Sequence, residues 1–152
     1  QEFATELRTT RDPGEAIMWA VPVEDHKLTV DEVKDALKSL ASSRNFLFVG
    51  EAQFYKQVEA VTGQKYRHVA FLSFCDVGVG KMMADYRDAY TGFMPCRVSV
   101  VEDKSGKLWL YTMNLDMMIH GGKRLPEDLR REALRVRNVI WDMVHGAAKG
   151  EF

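Results

Sequence analysis

Two cysteines and four prolines are all that the 152 residues contain of either type. Two thiols make one disulfide at most, so no cross-linked scaffold holds this chain together. No apolar run approaches the roughly twenty residues that a helix needs to cross a bilayer. An excess of one charge is also missing, with 21 basic residues against 22 acidic ones and a net charge of −1. That balance removes a general pull toward nucleic acid or an anionic membrane surface. The basic residues that do cluster, Lys123, Arg124, Arg130, Arg131, Arg135 and Arg137, interleave with Glu127, Asp128 and Glu132. They read as a solvated helix face, and no nucleic-acid motif accompanies them. Closely spaced Cys or His pairs of the kind zinc needs do not occur. The haem-attachment sequence, two cysteines followed by histidine, is absent too.

What is present suits one domain. Hydrophobic residues make up 46% and charged residues 28%, in a length that can bury a real core. No internal repeat or linker divides it. Residues 1–14 read as a polar arm ending in the turn signal Asp12-Pro13-Gly14, and residues 15–148 as a single α+β domain. The chain begins at Gln1, which fits either a mature end left by signal cleavage or a remnant of recombinant expression. The first reading is favoured and predicts a periplasmic or exported protein.

Hydrophobic period then sets the order βαβαβαββα. A strand over Ala16 to Val23 carries Pro22, which places it at an edge or strand end. Thr29 and Glu32 form a capping box ahead of Val33, Ala36, Leu37 and Leu40 at helical spacing. Phe46 to Val49 reads as a short strand, and Glu51 to Thr62 as a helix stopped by Gly63. His68 to Cys75 is apolar on both faces and belongs inside a sheet. A turn at Asp76 to Gly80, a helix near Lys81 to Ala89, and a hairpin over Cys96 to Val101 and Leu108 to Met113 follow. Pro126 opens a final helix, residues 126–148. The simplest architecture that buries every stripe is a two-layer sandwich, a mixed and largely antiparallel sheet with helices on one face.

Three segments carry a resemblance. They are Phe74-Cys75-Asp76, then Met94-Pro95-Cys96-Arg97-Val98-Ser99-Val100-Val101-Glu102-Asp103, then Thr112-Met113-Asn114. This strand, helix and Pro-Cys strand pattern resembles the domain-of-unknown-function family 302, over about Ala16 to Met118. One departure is Asp76-Val77-Gly78, where the family often has Asn-Pro after the first cysteine. The last helix reads as an extension. The resemblance implies a small α+β fold that often forms dimers, and little about activity.

Cys75 and Cys96 are the sharpest candidates for chemistry. Both lie at strand ends, and they can meet only if their strands run antiparallel. As a pair they serve a redox disulfide or a copper(I) site; as single residues they are small buried hydrophobes. Six of the eight methionines fall between Lys81 and Ile119, namely Met82, Met83, Met94, Met113, Met117 and Met118. With His120 they make a copper(I) environment conceivable, while core packing explains methionine as well. No cofactor is the simplest expectation, with copper or a haem held by His and Met as the open alternatives. Asp76, Gly78, Gly80 and Lys81 resemble a phosphate loop only loosely, since the Walker spacing and a third glycine are both missing. A small anion at that turn, and an enzyme acting on it, is a third possibility. No catalytic triad or carboxylate pair emerges from the spacing. The leading expectation is a non-catalytic binding or accessory protein that self-associates or joins another protein. Its rival is a periplasmic redox or copper-handling protein.

Overall fold

The computed structural model describes residues 2–152, the side chain of Glu2 excepted. Gln1, read either as a processed end or as a remnant of recombinant expression, lies outside the described residues. The N-terminal segment is helical, in α1 (Glu2–Thr10) and α2 (Pro13–Ile17). The Asp-Pro-Gly sequence is the start of a helix and not simply a turn. Asp12 accepts a hydrogen bond from the Gly14 N–H at 2.8 Å, and Pro13 takes the first helical position, where its missing donor costs nothing.

Strand β1 (Met18–Pro22) is therefore shorter than its apolar run, since α2 takes Ala16 and Ile17. The capping box of α3 (Val30–Ser43) forms as its residues dictate. The Glu32 N–H donates to Thr29 Oγ1 and the Thr29 N–H to Glu32 Oε1. β2 (Leu47–Ala52) follows, with a bulge at Val49 between the paired residues Phe48 and Gly50. α4 (Phe54–Thr62) closes at Gly63, whose φ of +69° is the left-handed cap that glycine adopts without strain. β3 (Val69–Cys75), α5 (Val77–Tyr86) and a 3₁₀ segment (Asp88–Phe93) come next. β4 (Cys96–Glu102), β5 (Leu108–Met113), α6 (Asp116–His120) and α7 (Glu127–Ala148) complete the chain. α5 begins four residues before the expected Lys81, because Asp76 caps it.

The fold is the predicted α+β arrangement of helices against a sheet, but the sheet is antiparallel throughout and not mixed, and α4 lies on the face opposite α3 and α7. The sheet order is β1-β5-β4-β3-β2, and every pairing among the described strands is antiparallel. β1 and β2 form the two edges, so Pro22 sits where a missing ladder donor is tolerated. β3 is paired on both sides, as its two-faced apolar run requires.

Alternation along the strands sorts the two faces. Ala70, Leu72, Phe74, Val98, Val100 and Leu110 are fully enclosed on one face. α3 and α7 pack there, through Val33, Leu37, Ile140 and Met143. The other face carries Met18, Phe71, Ser73, Arg97, Ser99, Tyr111 and Met113, and it lines a broad open depression. α4 reaches that reverse side, with Phe54 stacked on Phe71 at 5.6 Å between ring centroids.

Candidate functional site

The site lies at one end of the sheet, where three chain segments converge. β3 ends in Cys75, the next residue caps α5, and the chain returns through the 3₁₀ segment and a cis Met94-Pro95 bond to Cys96. Because β3 and β4 are antiparallel, with Phe74 opposite Cys96, both thiols fall at the same end of the ladder. The structure thus satisfies the condition under which the two cysteines can share a site. Both are free thiols.

Between these segments and α7 lies a cavity of about 50 Å³. Sulfur dominates its polarizable lining, supplied by Cys75, Cys96, Met83, Met94 and Met118, with the Tyr90 and Phe93 rings beside them. Its volume is far below the several hundred Å³ of an ordinary metabolite pocket, yet it exceeds what one water needs. Only an ion or a ligand of very few heavy atoms fits without rearrangement.

Gly80 sets how closely the sulfurs approach. A Cβ at this position would stand 3.2 Å from Met94 Sδ and 3.6 Å from Cys75 Sγ. The two sulfurs therefore flank the bare α5 backbone on the same side. An added methyl group here would crowd Met94 Sδ and lie in van der Waals contact with Cys75 Sγ.

The thiols are not poised as nucleophiles. Burial pushes the Cys96 thiol up to about 11, and neighbouring Cys75 adds to the effect. Burial also raises Cys75, with the Asp76 carboxylate contributing. Near neutral pH both are protonated, opposite to the depressed values of catalytic cysteines.

Asp76 plays a structural part. Its Oδ1 accepts the Val79 N–H at 3.1 Å, and its Oδ2 accepts from Arg135 Nη2 at 2.7 Å. Burial alone would raise its carboxyl, but the Arg135 and backbone hydrogen bonds outweigh that and hold it below its usual range. The helix terminus suggested as an anion site thus already faces an anion, the chain's own carboxylate. Lys81 Nζ turns to Asp85 at 2.6 Å on an exposed surface, and Gly78 is exposed. Of the four anion candidates, only Asp76 and Gly80 border the cavity.

Met113 and His120 do not join the sulfur cluster. Met113 pairs with Met18 and faces the open depression. His120 ends α6 exposed to solvent. Among the described residues no group of three His, Cys, Asp or Glu side chains could hold a metal ion.

Sequence reasoning missed two features. Arg135, read as part of a solvated face, ties α7 to the mouth of the site through Asp76. At the far end of the sheet, Lys34 Nζ donates to Glu51 Oε2 at 2.8 Å with side-chain exposures of only 7% and 17%. Its signal was a lysine at helical spacing with Leu37 and Ala41 in a buried stripe. Nearby, His68 Nε2 is enclosed without a partner and its ring lies 4.4 Å from that of Tyr55. Burial, followed by the Lys34 charge, lowers its pKa.

Comparisons place the fold among known proteins. Residues 20–146 match a family described as a domain of unknown function, DUF302. The match extends through nearly all of α7, so the last helix is part of the family domain and not the extension expected from the sequence. The crystal structure of an uncharacterized conserved DUF302 protein from Bacillus stearothermophilus superposes with a TM-score of 0.69 at 12% identity. It covers 84% of this chain and 95% of that one. At that identity the likeness establishes the fold alone. No curated protein matches the chain.

Proposed function

The chain belongs to the DUF302 family, and on that premise we propose that it is a non-catalytic binding protein whose ligand site is the sulfur-lined cavity beside Cys75 and Cys96. One observation carries this reading: five sulfur-bearing side chains from four elements and the connecting segments line one small apolar cavity. Protonated thiols and the lack of an acid–base pair beside them favour binding over catalysis.

Methionine-methyl NMR of the reduced protein under xenon pressure tests it, because xenon enters small apolar cavities without chemical preference. The Met83, Met94 and Met118 methyls are expected to shift, while Met18 on the open face stays put. Uniform silence of the three would remove the site.

Self-association is a second reading, favoured by the reverse face of the sheet. Antiparallel sheets with one solvated face usually alternate toward polar residues there. Here Met18, Phe71, Trp109, Tyr111 and Leu47 occupy that face, with Met18 and Leu47 well exposed. Arg97 is the only ionisable charge at the paired strand positions of that face, so a second copy meets little like-charge repulsion. Light scattering should show a dimer that Tyr111→Glu dissociates. A strict monomer at millimolar concentration would end this reading.

A further inference from the structure

We propose that the cavity is a copper(I) site, with Cys75 Sγ, Cys96 Sγ and Met94 Sδ as its three ligands. This deepens the binding reading and rests on it.

The argument begins with the donor set. Copper(I) is soft and accepts low-coordinate sulfur environments, whereas zinc in protein sites calls for four nitrogen, sulfur or oxygen ligands. The described residues offer no hard or borderline cluster anywhere, but at this cavity they offer two thiols and three thioethers. Met94 and Cys75 already converge on Gly80, and Cys96 enters from the adjacent strand one residue out of register. Met83 and Met118 line the same cavity as further soft, apolar thioethers.

The competing chemistry is a disulfide. In a regular ladder successive side chains leave on opposite faces. Cys96 shares its face with its register partner Phe74, so Cys75 starts on the other. Side chains that leave a ladder in opposite directions are poorly placed for direct S–S bonding. Both side chains nevertheless line the one cavity, and two copper–sulfur bonds tolerate a wider sulfur–sulfur gap than the roughly 2 Å of a disulfide.

Binding requires no redox step. Two S–H bonds break, two protons pass to solvent, two copper–thiolate bonds form with Met94 as a neutral third donor, and copper stays monovalent. Gly80 has a specific role here, since a Cβ would crowd Met94 Sδ at 3.2 Å and touch Cys75 Sγ at 3.6 Å.

The test is titration of the fully reduced protein with copper(I) against the chelator bicinchoninate, followed by X-ray absorption of the loaded form. One equivalent should be withdrawn from the chelator into a sulfur-only shell. Cys75→Ser and Cys96→Ser should each weaken binding by more than about a hundredfold, and Met94→Leu and Gly80→Ala by about tenfold to a hundredfold. Met94→Leu keeps core volume and Gly80→Ala adds one methyl group, and circular dichroism of each variant verifies its fold. The proposal is overturned by failure to compete for copper(I), by unchanged affinity in both cysteine variants, by nitrogen or oxygen in the shell, or by preferential uptake of zinc. If copper(I) fails while the methionine methyls still respond to xenon, the copper assignment falls and the binding cavity stands. If neither responds, both fall.

Discussion

Lys34 sits on the buried stripe of α3 between Val33 and Leu37, and its ammonium reaches Glu51 on the edge strand β2. Removing one member of a buried pair leaves an uncompensated charge, at a typical cost of about 3–5 kcal/mol. Glu51 keeps some solvent contact, a hydrogen bond from Gln53 and the charge of Lys38. Lys34→Met should therefore cost near the lower end, about 3 kcal/mol. The double variant Lys34→Met/Glu51→Leu replaces both charges with apolar volume and should lie within about 1 kcal/mol of the parent. Urea unfolding followed by far-UV circular dichroism reads both, with unchanged slope showing that only stability moved. A cost below about 0.5 kcal/mol for the single change would refute the buried-pair reasoning, because surface substitutions fall in that range. A double variant worse than the single one would refute it equally.

The pair also makes stability depend on pH. Burial would raise the Glu51 carboxyl, but hydrogen bonding and attraction to Lys34 leave it below its ordinary value. A depressed carboxyl contributes stability that is present above its unfolded pKa and lost as pH falls through the folded one. His68 is depressed too, by burial and then by Lys34. Below the ordinary histidine value of 6.5 the unfolded chain takes up a proton more readily, so stability begins to fall there. In Lys34→Met the His68 titration, followed by NMR, should move back up.

Three further outcomes follow from local geometry. Leu72→Ala, at a fully enclosed position of β3, should cost about 3 kcal/mol in chemical denaturation. At the end of α6, a Cβ at Gly121 would run into the Met117 carbonyl, whereas Gly122 has open space. Gly121→Ala should lower the melting temperature and Gly122→Ala should leave it nearly unchanged; equal effects would contradict this. Asp103 organises the β4–β5 hairpin, accepting from Ser105 Oγ at 2.6 Å and Trp109 Nε1 at 2.9 Å. The Ser105 hydrogen bond, with help from Trp109 and the turn backbone, lowers its carboxyl to about 2. Its stabilisation is complete above the ordinary carboxyl value and disappears only as pH drops toward 2, which Trp109 fluorescence can follow.

Much of the fold was legible because its signals are local. The Thr29 and Glu32 capping box, the Gly63 stop and the clean alternation of Val98 and Val100 each specify structure over a few residues. The N-terminal helices were not legible, because α1 lacks a stripe that buries and α2 spans five residues. The same holds for α6 and the 3₁₀ segment, which are too short to show a period. At the site, the cysteines stood out as strand-terminal residues, but whether they meet depends on the sense of pairing between β3 and β4. A helix and a 3₁₀ segment separate these strands, and that connection permits either sense from sequence alone. Gly80 was marked only as part of a loose anion loop and Arg135 only as part of a solvated face, because their roles come from contacts with residues distant in sequence. Met113 and His120 were drawn in by composition, and the alternation of β5 and the exposed end of α6 send them elsewhere.

The most direct test of the binding cavity is mass measurement of the protein purified natively without added reductant, first intact and then after denaturation with thiol counting. The account predicts a small retained mass that is released on denaturation, absent from Gly80→Ala, with two free thiols counted afterwards. A native mass equal to the bare chain, together with a Cys75–Cys96 disulfide after denaturation, would contradict it.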